Sequence, residues 1–343
     1  MSGALEPSPA DSLSPAGPPA GPSPPSAPPR VPRRAARPWL RPLLRGGQVL
    51  LVAATVYFLA AYLVRSWTSV KDYDWTLRPG WLLLSAAAFL LFYFTQTVFW
   101  WLLLRGFAVR SPYPVAAATW AKSILARYIP GNVFMYLSRA WLSHAQGLPV
   151  DRVTAAMVYE QALGVCSALV AMALLFPFWE YHRGATALSL IAVPVLIALL
   201  HPRVFAPLSA WALRLLRRPP LDVTLGFGAV LLLLGYGVAG WFVAGAGAWL
   251  LARAVTDLTV DALPLVIVTN ALAYVVGMAA FVFPSGIGVR EAVFTASLAK
   301  QLPGGVALAW ALLLRVWVTV IELAFVGLVV AGAALLRRGN GTA

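Results

Sequence analysis

Three ionisable residues stand inside otherwise apolar stretches: Glu160, Arg315 and Glu322. A charge is costly in hydrocarbon, so such residues face a cavity or an opposite charge. Arg315 and Glu322 are seven residues apart, which puts them on one helix face about two turns from each other. That spacing predicts a polar lane rather than a direct bond. A structural staple, such as Glu160 with Arg315, is the alternative. Further charges gather where the oily sequence breaks. The stretch FVFPSGIGVRE (281–291) holds Pro284, Gly286, Gly288, Arg290 and Glu291. The stretch ARYIPGNVF (126–134) holds Arg127, Pro130 and Gly131, with Lys122 upstream and Arg139 downstream. Proline removes an N–H and glycine frees φ, so a helix stops there. The next helix then starts inside the membrane with unpaired N–H groups and a positive dipole end. Such an end attracts anions, phosphate above all. Arg290 adds a full charge at the second break, and Arg127 and Arg139 flank the first. A phospholipid or lipid-linked phosphate head group suits both. The alternative is that Arg290 and Glu291 only anchor a hairpin at the membrane interface.

Other chemistries find little support. His144, His182 and His201 are scattered, and Cys166 is the only cysteine, so the sequence predicts no metal site, no cofactor and no intrachain disulfide. The net charge of +14 is spread around apolar spans instead of clustering on a soluble module, which argues against nucleic-acid binding. There is no nucleotide-binding motif, so direct use of ATP is not expected.

The elements that must position these charges are membrane helices. The chain is 60% hydrophobic and 11% charged, against about a quarter charged in soluble domains. The expected fold class is an all-α polytopic membrane protein. Full spans are expected at 47–64, 80–104, 153–177, 184–200, 223–250 and 306–335, with an interfacial segment at 202–217. Two stretches, 113–146 and 262–302, read as broken-helix hairpins that enter and leave on one side. The alternative is that both arms of each hairpin cross. Residues 1–42 hold 13 of the 27 prolines and read as a disordered tail. With both hairpins re-entrant, 18 Lys/Arg fall on one side and seven on the other, with Arg315 inside a span. The positive-inside rule then puts both termini in the cytoplasm.

The two broken stretches also resemble each other. Pro130 to Pro149 and Pro284 to Pro303 are both 19 residues apart. Each second proline leads into a long span carrying an ionisable residue, Glu160 at 11 residues and Arg315 at 12. Three expected spans separate the breaks, and an odd number inverts the second unit. Inverted repeats with matching broken helices point to a transporter-type site near the midplane.

The pattern K-x4-RYIPGNVF-x4-R (Lys122, Arg127, Pro130, Gly131, Arg139), the downstream Glu160 and the motif FPSGIGVREA together resemble the lysylphosphatidylglycerol synthase transmembrane region. The resemblance covers about 47–335. It implies the flippase-type membrane half of proteins that make and translocate aminoacyl-phosphatidylglycerol. The soluble aminoacyl-transferase domain is not seen in this sequence, so no enzyme activity is expected. The expected organisation is a tail over 1–42, a flippase-like domain over 43–337 and a short cytoplasmic tail over 338–343. The expected function is translocation or binding of an anionic or phosphate-bearing lipid in the cell membrane. One alternative is an accessory subunit presenting a lipid to a separate lipid-modifying enzyme such as a glycosyltransferase. Another is a membrane enzyme acting on a lipid phosphate, for which only Glu160, Glu291 and Glu322 lie near the breaks.

Overall fold

The computed structural model describes residues 57, 60–128, 133–175, 185–215, 224–280, 286 and 288–339, and these are helical apart from short turns and connections. The helices are α1 (Trp67–Lys71), α2 (Pro79–Gly106), α3 (Tyr113–Ile124), α4 (Val133–His144), α5 (Val150–Leu175) and α6 (Ala185–Leu200). They continue with α7 (Pro202–Leu215), α8 (Phe227–Val255), α9 (Leu263–Ala279), α10 (Val289–Leu298) and α11 (Gly304–Gly339). Single 3-10 turns, Leu125–Tyr128 and Val260–Ala262, follow α3 and precede α9. Prolines sit in the first turns of α2, α3 and α9, where a missing N–H costs nothing.

Five segments are long and apolar enough to cross a membrane: 79–106, 150–175, 227–255, 260–279 and 304–335. Only 22% to 50% of each apolar window is buried inside the protein. Leu83, Leu232, Val316 and Leu328 point outward, as expected of a surface solvated by acyl chains. The protein is therefore an all-α polytopic membrane protein.

Most of the span expected at 47–64 lies outside the described residues, as do Pro130, Gly131 and Pro284. The segment expected to span at 184–200 does so less well than predicted. Helix α6 has 16 residues, roughly 24 Å at 1.5 Å per residue, and Pro194 interrupts its hydrogen bonding. The two broken stretches also differ. Helices α3 and α4 have 12 residues each, roughly 18 Å, half a bilayer. In the second stretch, 260–279 is long enough to cross while α10 has only 10 residues. The final helix reaches Gly339, two residues into the expected tail.

Packing repeats along the chain. Helix α2 packs on α3, and α8 packs on α9. Within each broken stretch the two arms touch, and the second arm packs on the long helix that follows, α4 on α5 and α10 on α11. The first arms cross over: α3 packs on α11, and α9 packs on α5. Helices α2 and α8 meet at the centre, where the Ser85 hydroxyl donates to the Gly247 carbonyl at 2.8 Å. Trp317 of α11 donates to the same hydroxyl at 3.1 Å. Helices α8 and α9 approach so closely that a Cβ on Gly245 would stand 2.6 Å from the Ile267 Cα. The repeat seen in the sequence thus extends to four helices, α2–α5 and α8–α11, with their long helices interleaved.

Candidate functional site

Where the two four-helix units meet they line a partly open cavity of about 320 Å³. A larger depression beside Leu77–Leu84 is open and carries a single charge, Arg78, which is bound to Asp257. The cavity between the units is different: four arginines and three glutamates line it, drawn from both units.

Three ion pairs organise these charges. In the first unit, Arg139 of α4 pairs with Glu160 of α5. Arg139 is 1% exposed, its Nε donates to the Ser123 hydroxyl at 2.9 Å, and its guanidinium lies over the rings of Trp100 and Trp120. Trp120 Nε1 donates to the other Glu160 oxygen at 2.8 Å. In the second unit the polarity is exchanged. Glu291 of α10 pairs with Arg315 of α11 at 2.6 Å. Its second oxygen accepts the Gly288 N–H, also at 2.6 Å, and so caps α10. Each short helix is therefore stapled to the long helix after it. The third pair joins the units: Arg127, just before the first break, meets Glu322 of α11 at 2.5 Å. Glu322 is 2% exposed and also accepts from Tyr93 at 2.8 Å and from Tyr128 at 3.2 Å.

Every carboxylate oxygen in the cavity thus has a donor. Four guanidinium groups against three carboxylates leave one positive charge over, and Arg290 carries it. No carboxylate lies within 4 Å of Arg290 among the described residues, although it lines the cavity. Its position is set by two glycines. The Arg290 stem lies across Gly277 and Gly286, and a Cβ on either would come within 3.4 Å of the Arg290 Cγ. Gly286 and Gly288 have φ of +64° and +84°, which other residues rarely adopt.

Several expectations change. Glu160 and Arg315 share the cavity but do not pair, because each is taken by the short helix of its own unit. Arg315 and Glu322 both line the cavity. Lys122 is exposed on α3 and is not part of the cavity wall. Glu291 is 3% exposed and turned to Arg315 inside the protein. The N-terminus of α10 is not wholly open to an anion, since Glu291 takes the Gly288 N–H. Tyr93, Tyr128, Trp120, Gln96, Gln161, Asn270 and Tyr274 were not singled out from the sequence, yet all line the cavity. The signal was available: single amides in oily spans, and aromatic residues at helical spacing beside Gln96.

No curated protein matches the chain. The sequence profile of the lysylphosphatidylglycerol synthase TM region matches residues 47–337, which include every residue lining the cavity. Of the residues that carry the resemblance, Arg127, Arg139, Glu160, Gly286, Arg290 and Glu291 line the cavity, and the chain belongs to the lysylphosphatidylglycerol synthase TM region family.

Proposed function

We propose that this protein binds a phosphate-bearing, anionic membrane lipid in the cavity and moves it between the two leaflets, without enzymatic chemistry. The observation that carries the reading is Arg290. It is a cation in a partly open, mostly apolar cavity with no carboxylate against it among the described residues, and a lipid phosphate supplies the missing charge. Arginine suits this role because its planar fork gives two parallel bonds to phosphate oxygens. The three glutamates support a binding role over catalysis. Each is held in an ion pair, which leaves none poised as a general acid or base. The reading places the protein in the cell membrane with both termini cytoplasmic, following the charge asymmetry of the loops.

The test is translocation of phosphatidylglycerol by the full chain in liposomes. Arg290→Ala is expected to lower the rate about tenfold or more while leaving Tm unchanged, since a charge-assisted hydrogen bond contributes about 1.5–3 kcal/mol. Arg290→Lys is expected to recover part of the loss. Normal translocation by a folded Arg290→Ala protein would refute the reading.

A further inference from the structure

The wall around Arg290 says more about the head group than its phosphate. Asn270 is 6% exposed, faces the cavity and has no hydrogen-bond partner among the described residues. The Gln96 and Gln161 amides and the Tyr136 and Tyr274 hydroxyls also line the cavity with no hydrogen-bond partner among the described residues. Asn270 is buried and the other four are half-buried, so their polar atoms face the cavity interior, where a ligand can complete the bonding. Asn270, Tyr274 and Gly277 fall at i, i+4 and i+7 on α9, one face of that helix. Gly277 carries the Arg290 stem at one end of this face, and Asn270 stands roughly 10 Å along it at the other. Tyr274 lies against Gly164 of α5, where a Cβ would be 3.0 Å from the phenol oxygen. Gln161 is less than one turn before Gly164 on the same helix. The Asn270 and Gln161 amides and the Tyr274 hydroxyl therefore share one cavity with Arg290.

The type of these groups limits what they recognise. Carboxamides offer donors and acceptors together, and phenols offer one of each. They match hydroxyl groups, which also donate and accept. An ammonium group needs a carboxylate or open aromatic faces. Here both oxygens of Glu160, Glu291 and Glu322 are already occupied. The Trp120 ring carries Arg139, the Trp241 ring packs against Phe92 and Tyr274, and the Tyr128 and Tyr136 rings stand near the Arg127 and Arg139 charges, which repel a cation there. Arg290 itself repels a cation. Resting on the proposed binding of a lipid phosphate at Arg290, we infer that the cavity selects a lipid whose phosphate carries a neutral, hydroxyl-rich head group. It discriminates against head groups that end in an amine, the lysyl group included. A volume of about 320 Å³ is at the small end for a ligand site and fits one head group of this kind.

The test is competitive lipid binding to the purified full chain, read by native mass spectrometry with acyl-matched lipids. The probes are phosphatidylglycerol, phosphatidylinositol, phosphatidic acid, phosphatidylethanolamine and lysylphosphatidylglycerol. At least one polyol lipid is expected to bind about tenfold tighter than phosphatidic acid, and both amine lipids more weakly than phosphatidic acid. Asn270→Leu and Gln161→Leu keep side-chain volume. They are expected to bring the polyol lipids to the level of phosphatidic acid and to leave phosphatidic acid unchanged. Soluble glycerol phosphate and inositol phosphate are expected not to compete; competition at equal concentration would show that the site takes a free phosphate ester and overturn the lipid assignment. The head-group inference falls if an amine lipid binds as tightly as the polyol lipids. It also falls if folded Asn270→Leu and Gln161→Leu proteins keep the preference, or if neither polyol lipid exceeds phosphatidic acid. The underlying reading falls separately, if Arg290→Ala leaves phosphatidic acid binding intact.

Discussion

The cavity arginines differ in what surrounds them, and their substitutions should differ accordingly. Arg139 is enclosed by Glu160, Ser123 and two tryptophan rings, so its charge is spent on the fold. The sequence located Glu160 and Arg315 correctly as interior charges but could not say which partner each meets. That choice depends on which helices are neighbours, and spacing along a chain does not reveal it. The correction has a measurable consequence. The exchange Glu160→Arg with Arg315→Glu sets a second cation against Arg139 and a second carboxylate against Glu291. Both staples are lost at about 3–5 kcal/mol each, and nothing is recovered by combining the two changes. The exchange within one pair, Arg139→Glu with Glu160→Arg, keeps opposite charges together and is expected to restore part of what Glu160→Arg alone loses. Folded yield and Tm in detergent measure both. Better folding of the first exchange than of Glu160→Arg would contradict the pairing.

At the scale of helices, the breaks were the most legible feature. Proline and glycine interrupt oily runs visibly, and among the described residues Gly286 and Gly288 stand between the end of α9 at Ala279 and the start of α10 at Val289. Less visible was how closely α8 and α9 pack, because small residues in an apolar run have no single meaning. Gly245 is the clearest case. An alanine there would drive a methyl into the Ile267 backbone, which cannot swing aside. Gly245→Ala is expected to destabilise the protein by about 1–3 kcal/mol. Gly235, on the same helix, has open space where its Cβ would be. Gly235→Ala is expected to be neutral or to stabilise by up to about 1 kcal/mol through helix propensity. Thermal unfolding of the two variants side by side checks the difference, and equal behaviour would mean that the helices can separate at little cost.

For the whole molecule, composition revealed the class and the repeat revealed the presence of two units. The interleaving of those units was hidden, since it rests on contacts between α3 and α11 and between α9 and α5, far apart in sequence. The cavity amides were hidden for a related reason: one asparagine in a span matters only when its neighbours are known. The orientation of the units can be measured directly. Cys166 is the sole cysteine, so Cys166→Ala gives a background without thiols. Ala145 and Gln301 are exposed in corresponding loops of the two broken stretches. With opposite orientation, Gln301→Cys is labelled by an impermeant maleimide in intact cells, and Ala145→Cys only after permeabilisation. Labelling of both from one side would show that the units are parallel.

The three ion pairs also differ in when they can form. Arg139 and Glu160 are separated by 21 residues, and Glu291 and Arg315 by 24, so each pair closes as soon as its own hairpin has left the ribosome. Arg127 and Glu322 are separated by 195 residues. At about 5–20 residues per second, Arg127 is in the membrane for roughly 10–40 s before its carboxylate is synthesised. During that interval α3 also lacks the long helix it will rest on. The unfinished protein is thus exposed to membrane quality control until its final span arrives. A chain ending at Pro303 never leaves that condition. In a pulse–chase experiment it is expected to be degraded several-fold faster than the full chain, and an equal half-life would mean that the first unit holds itself together without the second.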